Sequence, residues 1–459
     1  MSGLHVDLDL IRKYNVAGPR YTSYPPATRF ADSFREPDAR TELAASNVEP
    51  RDLSLYYHIP FCESLCWFCG CTTVITLNHR QGARYVEYLD REMALTRPLL
   101  HPDRRVTQLH WGGGSPTFLA PDEIRTLGAA IRRHFHLAPD IEASVEIDPR
   151  RLSPDHIQAL RDAGFNRASL GVQDFDPQVQ SAIHRIQPAD LTAEVIGWIR
   201  SAGFQSLNLD LIYGLPYQTL DSFRRTLDRI IELAPDRLAV FSYAHVPWLK
   251  PSQKIFEKRS PLPSPETKLQ LLKLVVETLT SQAGYTYIGM DHFARPGDEL
   301  ALAQARGTLQ RNFQGYSTRA GTDIASFGMS AISQTASAYW QNHKTLDAYY
   351  PAVEAGQLPV ARGCPVTEDD RIRRAVIMEI MCNLRVEFAP LSRRLGIAFT
   401  EYFARELDSL ADLEADGLLH VRGDGFSLTD LGRLLVRIIA MRFDAHLPQT
   451  SERRFSRAI

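Results

Sequence analysis

The chain is expected to adopt an α/β fold, a partial TIM-like (β/α)6 barrel carrying an N-terminal arm and a mainly helical, winged-helix-like C-terminal domain. Three observations point to it. Over residues 53 to about 290, short runs rich in β-branched and aromatic residues alternate with longer amphipathic segments, a pattern of parallel strands joined by right-handed crossovers. Polar residues and glycines collect where those runs end, which is where β/α barrels keep their active sites. On either side of this region the character of the chain changes.

The arm, residues 1–50, contains Gly18-Pro19-Arg20-Tyr21-Thr22-Ser23-Tyr24-Pro25-Pro26 and is too irregular to build its own core, so it should lie over the barrel. The barrel, residues 51–290, should hold strands at 53–57, 106–111, 143–147, 167–172, 206–212 and 238–244. Its helices should run over 83–100, 121–135, 154–163, 191–201, 220–233 and 266–282. Residues 291–360 connect it to the last segment, 361–459, where helical patterns at 368–381, 391–395 and 401–414 lead to a hairpin over 418–427. That hairpin should turn at Gly423-Asp424-Gly425, and a final helix should span 429–443.

Four of the six cysteines, Cys62, Cys66, Cys69 and Cys71, fall within ten residues, and Cys364 and Cys382 stand far away as ordinary thiols. The first three follow C-x3-C-x2-C, which offers three thiolates to one iron-sulfur cube and leaves its fourth iron open for chemistry. Structural zinc usually takes two C-x2-C pairs a dozen or more residues apart, and Cys71, one residue after Gly70, can hardly close the same tetrahedron. Disulfides are disfavoured because the start, MSGLHVDLDLIRKYN, has no apolar signal core.

Composition narrows the setting. With 459 residues, 44% apolar and 23% charged, the chain should form two or three globular domains. A net charge of -2 gives no general pull toward nucleic acid or anionic lipid, and no apolar stretch reaches bilayer-spanning length. A cytoplasmic monomer is the expectation. Arginine outnumbers lysine 45 to 7, which base composition explains, although guanidinium forks also suit a polycarboxylic substrate.

At the expected strand ends stand Gly112-Gly113-Gly114-Ser115-Pro116-Thr117, Glu146 with Asp148, Gln173, Asp210, and Tyr243-Ala244-His245. The glycines let backbone amides approach a ligand, and Glu146 and Asp210 in otherwise apolar strands read as ligand-binding acids. His58 either orders the cysteine loop or is a satisfied core histidine. Trp67 and Phe68, between the cysteines, should shield a cluster from water.

These cysteines resemble the radical S-adenosylmethionine superfamily. Across essentially its full length the chain further resembles the oxygen-independent coproporphyrinogen III oxidases, through Tyr21-Thr22-Ser23-Tyr24-Pro25, the run Tyr57 to Cys62, Phe68-Cys69-Gly70-Cys71 and His110-Trp111-Gly112-Gly113-Gly114. The runs Tyr287 to Ala294, Arg311 to Tyr316 and Gly328 to Ser333 carry it further. The resemblance implies a 4Fe-4S cluster on Cys62, Cys66 and Cys69, with Cys71 completing the motif without being an essential ligand. It implies two S-adenosylmethionine molecules lined by Tyr56, Phe68, Gly113, Gly114, Ser115, Glu146, Gln173, Arg185, Asp210, Ala244 and Ile332, with Gln314 near the second. Ser115 stands where threonine is common in the family, and Thr72 where asparagine is. Tyr56, His58 and Gln314 are the catalytic candidates, and Arg20 and Arg35 are candidates for holding propionates.

The implied chemistry is reductive cleavage of S-adenosylmethionine to methionine and a 5'-deoxyadenosyl radical, which removes a hydrogen atom from a propionate. Loss of carbon dioxide and one electron then leaves a vinyl group. Done twice, this turns coproporphyrinogen III into protoporphyrinogen IX in haem biosynthesis, with a reductant such as flavodoxin or ferredoxin and an unidentified electron acceptor. A haem-carrying sister branch usually has phenylalanine at the position of Cys71 and lacks the arm, so both features favour the oxidase. A cluster-sensing DNA-binding regulator is disfavoured, because residues 361–459 carry 15 arginines against 15 acidic residues.

Overall fold

The computed structural model describes residues 4–258 and 261–447. Its centre is a twelve-stranded sheet. In chain order the strands are β1 Leu53–Ile59, β2 Arg105–Gly113, β3 His136–Ile147, β4 Arg167–Gln173, β5 Ser206–Tyr213, β6 Arg237–Ser242, β7 Thr286–Gly289, β8 His292–Ala294, β9 Asp323–Phe327, β10 Ile332–Gln334, β11 Ala338–Asn342 and β12 Val360–Pro365. They lie side by side as β12-β11-β10-β9-β1-β2-β3-β4-β5-β6-β8-β7, so the sheet stays open.

Strands β1 to β6 are the six expected from the sequence, and all pair in parallel. The crossovers between them, and on to β7, carry helices Arg80–Thr96, Pro121–His134, Pro154–Ala163, Ala189–Ser201, Leu220–Leu233 and Pro265–Glu277. Several begin where local chemistry dictates. Proline opens three of them, at a position whose N–H would be unpaired anyway, and Thr219 caps another by accepting from Ser222 N at 3.1 Å. The sixth helix is shorter than expected, because residues Thr278–Gln282 widen into a π turn.

The sheet is larger than the six units. Strand β9 adds a seventh parallel strand beside β1, and β10 to β12 continue antiparallel from it, the first three of these four inside what the sequence suggested was only a connecting segment and β12 running from its last residue into the next segment. At the other end β8 and β7 form an antiparallel hairpin on β6. Strands this short leave too little periodicity to be read in advance.

The arm reaches both ends of this open sheet. Arg20 pairs with Asp291 in the β7–β8 turn at 2.6 Å, while Ala31 bridges to Gly363 in β12 and Phe34, Ala39 and Leu43 enter the main core. Tyr21 donates to Asp444 at 2.9 Å, and Tyr24 accepts from the Ala445 amide at 2.9 Å, so the arm shares a second core with the C-terminal region.

That region holds a three-stranded sheet, Arg385–Glu387, Gly425–Leu428 and Leu419–Arg422, among short helices. The hairpin turns over two residues, since Arg422 pairs with Gly425. The final helix expected over 429–443 divides at Leu435 into Asp430–Leu434 and Val436–Met441. Its first part is pressed so closely on Leu418 that a Cβ at Gly432 would lie 1.8 Å from the Leu418 carbonyl oxygen, and the break lets Val436 and Ile439 reach the core.

Candidate active site

Parallel strands are usually apolar on both faces, but here each alternates. Leu55, Tyr57, Leu109, Val145, Leu170 and Leu209 point outward and are buried under the helices. The residues between them point inward and are polar: Gln108 and His110 on β2, Ser144 and Glu146 on β3, Asn208 and Asp210 on β5. Register pairs Tyr56 with His110, His110 with Ser144, Glu146 with Ser169 and Ser169 with Asn208, so these side chains form a continuous inner wall. Apart from Tyr56, which stands behind them, they line a cavity of about 420 Å³, within the range of small-molecule sites.

The wall holds two unlike carboxylates. His110 Nδ1 is 2.6 Å from Ser144 Oγ and its Nε2 is 3.4 Å from Glu146 Oε1, while the Gly113 amide donates to Glu146 Oε2 at 3.2 Å. Burial opposes the charge of Glu146, but His110 and the Gly113 amide outweigh it and bring its pKa below the usual carboxylate value. Its side chain is 46% open, facing the cavity. Asp210 behaves oppositely: burial, then the charge of Glu146, push it up to about 7, although Asn208 and Ser169 donate to it at 2.8 and 3.3 Å. One acid is ionised and the other is poised between forms near neutrality.

The cysteine loop leaves the sheet directly above this wall. Phe61–Cys62 pairs with Val74–Ile75 and closes the loop at its base. His58 Nε2 donates to the Thr72 carbonyl at 2.9 Å, which leaves Nδ1 to accept from the Tyr56 hydroxyl at 3.1 Å. Burial lowers the His58 pKa, so the ring is neutral at neutral pH. His58 is thus a buried histidine with both ring nitrogens satisfied, and one of its bonds ties it to the cysteine loop.

Each cysteine has its own surroundings. Cys66 Sγ accepts from Arg150 at 3.4 Å and Arg185 at 3.7 Å. Both arginines are held by Asp148, at 2.6 and 3.2 Å, and although burial opposes its charge they keep that acid far below the ordinary range. Hydrogen bonding from Cys71 lowers the Cys69 pKa to about 6, while burial and the neighbouring thiols push Cys62 up to about 12. Among the described residues no three His, Cys, Asp or Glu side chains converge on a point for a single metal ion. Thiolates on a cube each meet a different iron and need no such convergence.

The glycine turn serves the scaffold. Gly113 has φ +116°, and a Cβ there would sit 2.6 Å from the His58 ring; at Gly114 it would sit 2.5 Å from the Pro60 carbonyl oxygen. The Gly114 and Ser115 amides donate to Ile59 O at 2.8 Å and Phe61 O at 2.9 Å, fastening the turn to the foot of the cysteine loop. With the Gly113 amide on Glu146, the amides expected to meet a ligand are taken up inside the protein.

Two family models match the chain: the radical SAM superfamily over residues 56–230, and the HemN C-terminal domain over 366–435. It is 47% identical to the oxygen-independent coproporphyrinogen III oxidase of Synechocystis, covering 98% of this chain and 97% of that one. The enzyme of that name from Escherichia coli is likewise 47% identical, covering 99% and 98%. The chain belongs to the oxygen-independent coproporphyrinogen III oxidase family. The solved structure of coproporphyrinogen III oxidase (HemN) from Escherichia coli, described as a radical SAM enzyme, superposes with a TM-score of 0.91 at 44% identity, covering 97% of this chain and 100% of that one.

The residues that the family resemblance singled out divide by position. Cys62, Cys66, Cys69, Phe68, Gly113, Gly114, Glu146, Gln173, Arg185, Asp210 and Gln314 line the cavity. Ser115 lines a neighbouring hollow of about 370 Å³ that also touches Cys62. Tyr56 and His58 stand behind the lining, Ala244 is exposed beyond β6, and Ile332 is half-buried on β10, outside the cavity lining. Arg20 stands over the ring of Phe241, a lining residue, at 5.8 Å. Arg35 is exposed at the head of helix Glu36–Ala45, where its amide donates to Asp38 at 2.7 Å. His110, Asn208 and Arg150 were not foreseen as site residues, and Asp148 was named at its strand end without its pairing to Arg150. For Asn208 the signal is the alternation, since it stands two residues from Asp210 on the same strand.

Proposed function

We propose that the chain carries out the anaerobic oxidative decarboxylation of two propionates of coproporphyrinogen III, giving protoporphyrinogen IX. The single observation that carries this is the match to oxygen-independent coproporphyrinogen III oxidases over nearly the whole of both chains. The cysteine-crowned polar cavity gives it a physical site. Cys62, Cys66 and Cys69 would hold a 4Fe-4S cluster, whose bound form supplies the electron that cleaves S-adenosylmethionine.

The protein's part is binding and orientation. Arg150 and Arg185 donate to the Cys66 sulfur and hold it in place, and ionised Glu146 offers a counter-charge to a cationic ligand. Asp210, with Asn208 and Ser169 beside it, can take hydrogen bonds from a nucleoside's hydroxyls. Tyr56 and His58 hold the cysteine loop in place through Thr72, a positioning role. A second S-adenosylmethionine near Gln314 is supported by its side-chain Nε2, which is buried without a partner and calls for an acceptor. Each vinyl group formed releases one hydrogen atom to the adenosyl fragment, one carbon dioxide and one electron, so a reductant such as flavodoxin or ferredoxin and a separate acceptor take part.

Anaerobic incubation of the reconstituted protein with coproporphyrinogen III, S-adenosylmethionine and a reductant should yield the divinyl product. Cys62→Ser should lose both the cluster's absorption band and the product. A fully loaded cluster that gives no vinyl product would sink the proposal and favour a haem carrier.

A further inference from the structure

Arg311 lies on the short strand Gln310–Asn312, opposite Tyr316, and its guanidinium stacks on that ring at 4.7 Å. The residue is only 8% exposed, and its Nε and Nη1 are buried without any partner. A desolvated guanidinium with empty donors is costly unless an anion completes it. Arg20 comes from the arm and Arg433 from the C-terminal region, the latter over Tyr287 at 6.0 Å with its own Nε unpartnered. The carboxylate at hand is Asp291, already engaged by Arg20 at 2.6 Å. Burial lowers the Arg311 pKa, and the neighbouring charge of Arg20 acts in the same direction.

This cluster backs onto the cavity. Arg311 stands on Tyr316 and Arg20 on Phe241, both lining residues, and His292 meets the two rings edge-on at 5.3 and 5.8 Å. Ser317 stands on the inner wall, where it accepts from Gln108 at 3.2 Å, and its neighbour Tyr316 also lines the cavity, while Arg311, stacked on that ring, lies outside the lining.

We propose that Arg311, together with Arg20, binds a carboxylate of the substrate, and that this carboxylate is one the reaction leaves in place. The inference rests on the proposed function, in which the substrate has four propionates and loses two. A propionate paired with Arg311 and Arg20 sits behind the rings of Tyr316 and Phe241, outside the lining that the cysteines share, so it anchors the macrocycle while another reaches the reacting end.

Fluorescence titration of the full-length, cluster-loaded protein tests this with three stable probes: coproporphyrin III, protoporphyrin IX, which keeps the two retained propionates, and coproporphyrin tetramethyl ester. Wild type should bind both acids and not the ester. Arg311→Gln and Arg20→Gln should each weaken both acids by roughly tenfold or more, the loss expected of a charge-assisted pair, and Arg311→Lys should recover part of the binding. Should Arg311→Gln fail to fold by circular dichroism, Arg20→Gln carries the comparison. Unchanged binding of both acids in the glutamine variants of an active enzyme would overturn the site alone. Weakened binding of coproporphyrin with unchanged binding of protoporphyrin would overturn its assignment to a retained group. A wild type that binds neither acid and forms no vinyl product would overturn the function as well.

Discussion

At the scale of single residues the site works through contrasts between like groups. Glu146 and Asp210 face one cavity from neighbouring parts of one wall, yet hydrogen bonding keeps the first ionised while burial raises the second to about 7. Because the folded value of Asp210 exceeds its ordinary 3.8, its contribution to stability is present at low pH and lost as pH rises through about 7. Asp210→Asn should therefore gain on wild type between pH 5 and pH 8 in apo-protein melting curves, and a constant gap would refute the raised value. If ionised Asp210 receives the nucleoside, S-adenosylmethionine should also bind more tightly above pH 7 than below it, and calorimetry on the Asn variant should show that dependence gone. The cysteines differ in the same manner. Cys71 donates to Cys69 from the exposed side, so Cys71→Ser should keep an iron-sulfur absorption band that Cys62→Ser loses.

At the scale of elements, much of the site was legible because chemistry and periodicity coincide in β1 to β6. Glu146 and Asp210 stood out as acids in apolar strands, and the cysteine spacing stood out by itself. What escaped notice was that the polar positions run the whole length of the inner face; His110, Ser144 and Asn208 are common strand or loop residues and draw attention only once register sets them side by side. Strand β9 and its antiparallel followers escaped for a different reason, since strands of three to six residues are too short to show a measurable period. The glycine turn was read as a place where a Cβ is excluded, and within the protein His58 and Pro60 are the groups it would meet. Gly113→Ala should cost about 1–3 kcal/mol through strain at positive φ, lower the melting temperature, and push the His58 ring off Thr72. Iron loading that falls along with melting temperature would support the link from turn to cysteine loop; unaltered loading in a destabilised variant would break it.

At the scale of the whole molecule, an open sheet is bridged by the chain's own first residues. The arm is pinned at Asp291 beside one end of the sheet and at Gly363 in the strand at the other, and on the way it joins the C-terminal core through Tyr21 and Tyr24. A Cβ at Gly363 would lie 2.5 Å from the Phe34 ring and 2.6 Å from the Tyr339 carbonyl oxygen, so Gly363→Val should prise the arm from β12. Trypsin should then cut at Arg29 and Arg35 faster than in wild type while the barrel stays intact; equal rates would mean that the bridge to β12 does not hold the arm. In the proposed function the cysteine loop, the polar inner wall and the arm serve one oxidative decarboxylation performed twice. The most direct measurement is the anaerobic product balance: with coproporphyrinogen III, S-adenosylmethionine and reductant, the loaded protein should release two carbon dioxide and two 5'-deoxyadenosine for each protoporphyrinogen IX. Release of 5'-deoxyadenosine with neither carbon dioxide nor a vinyl product would contradict it.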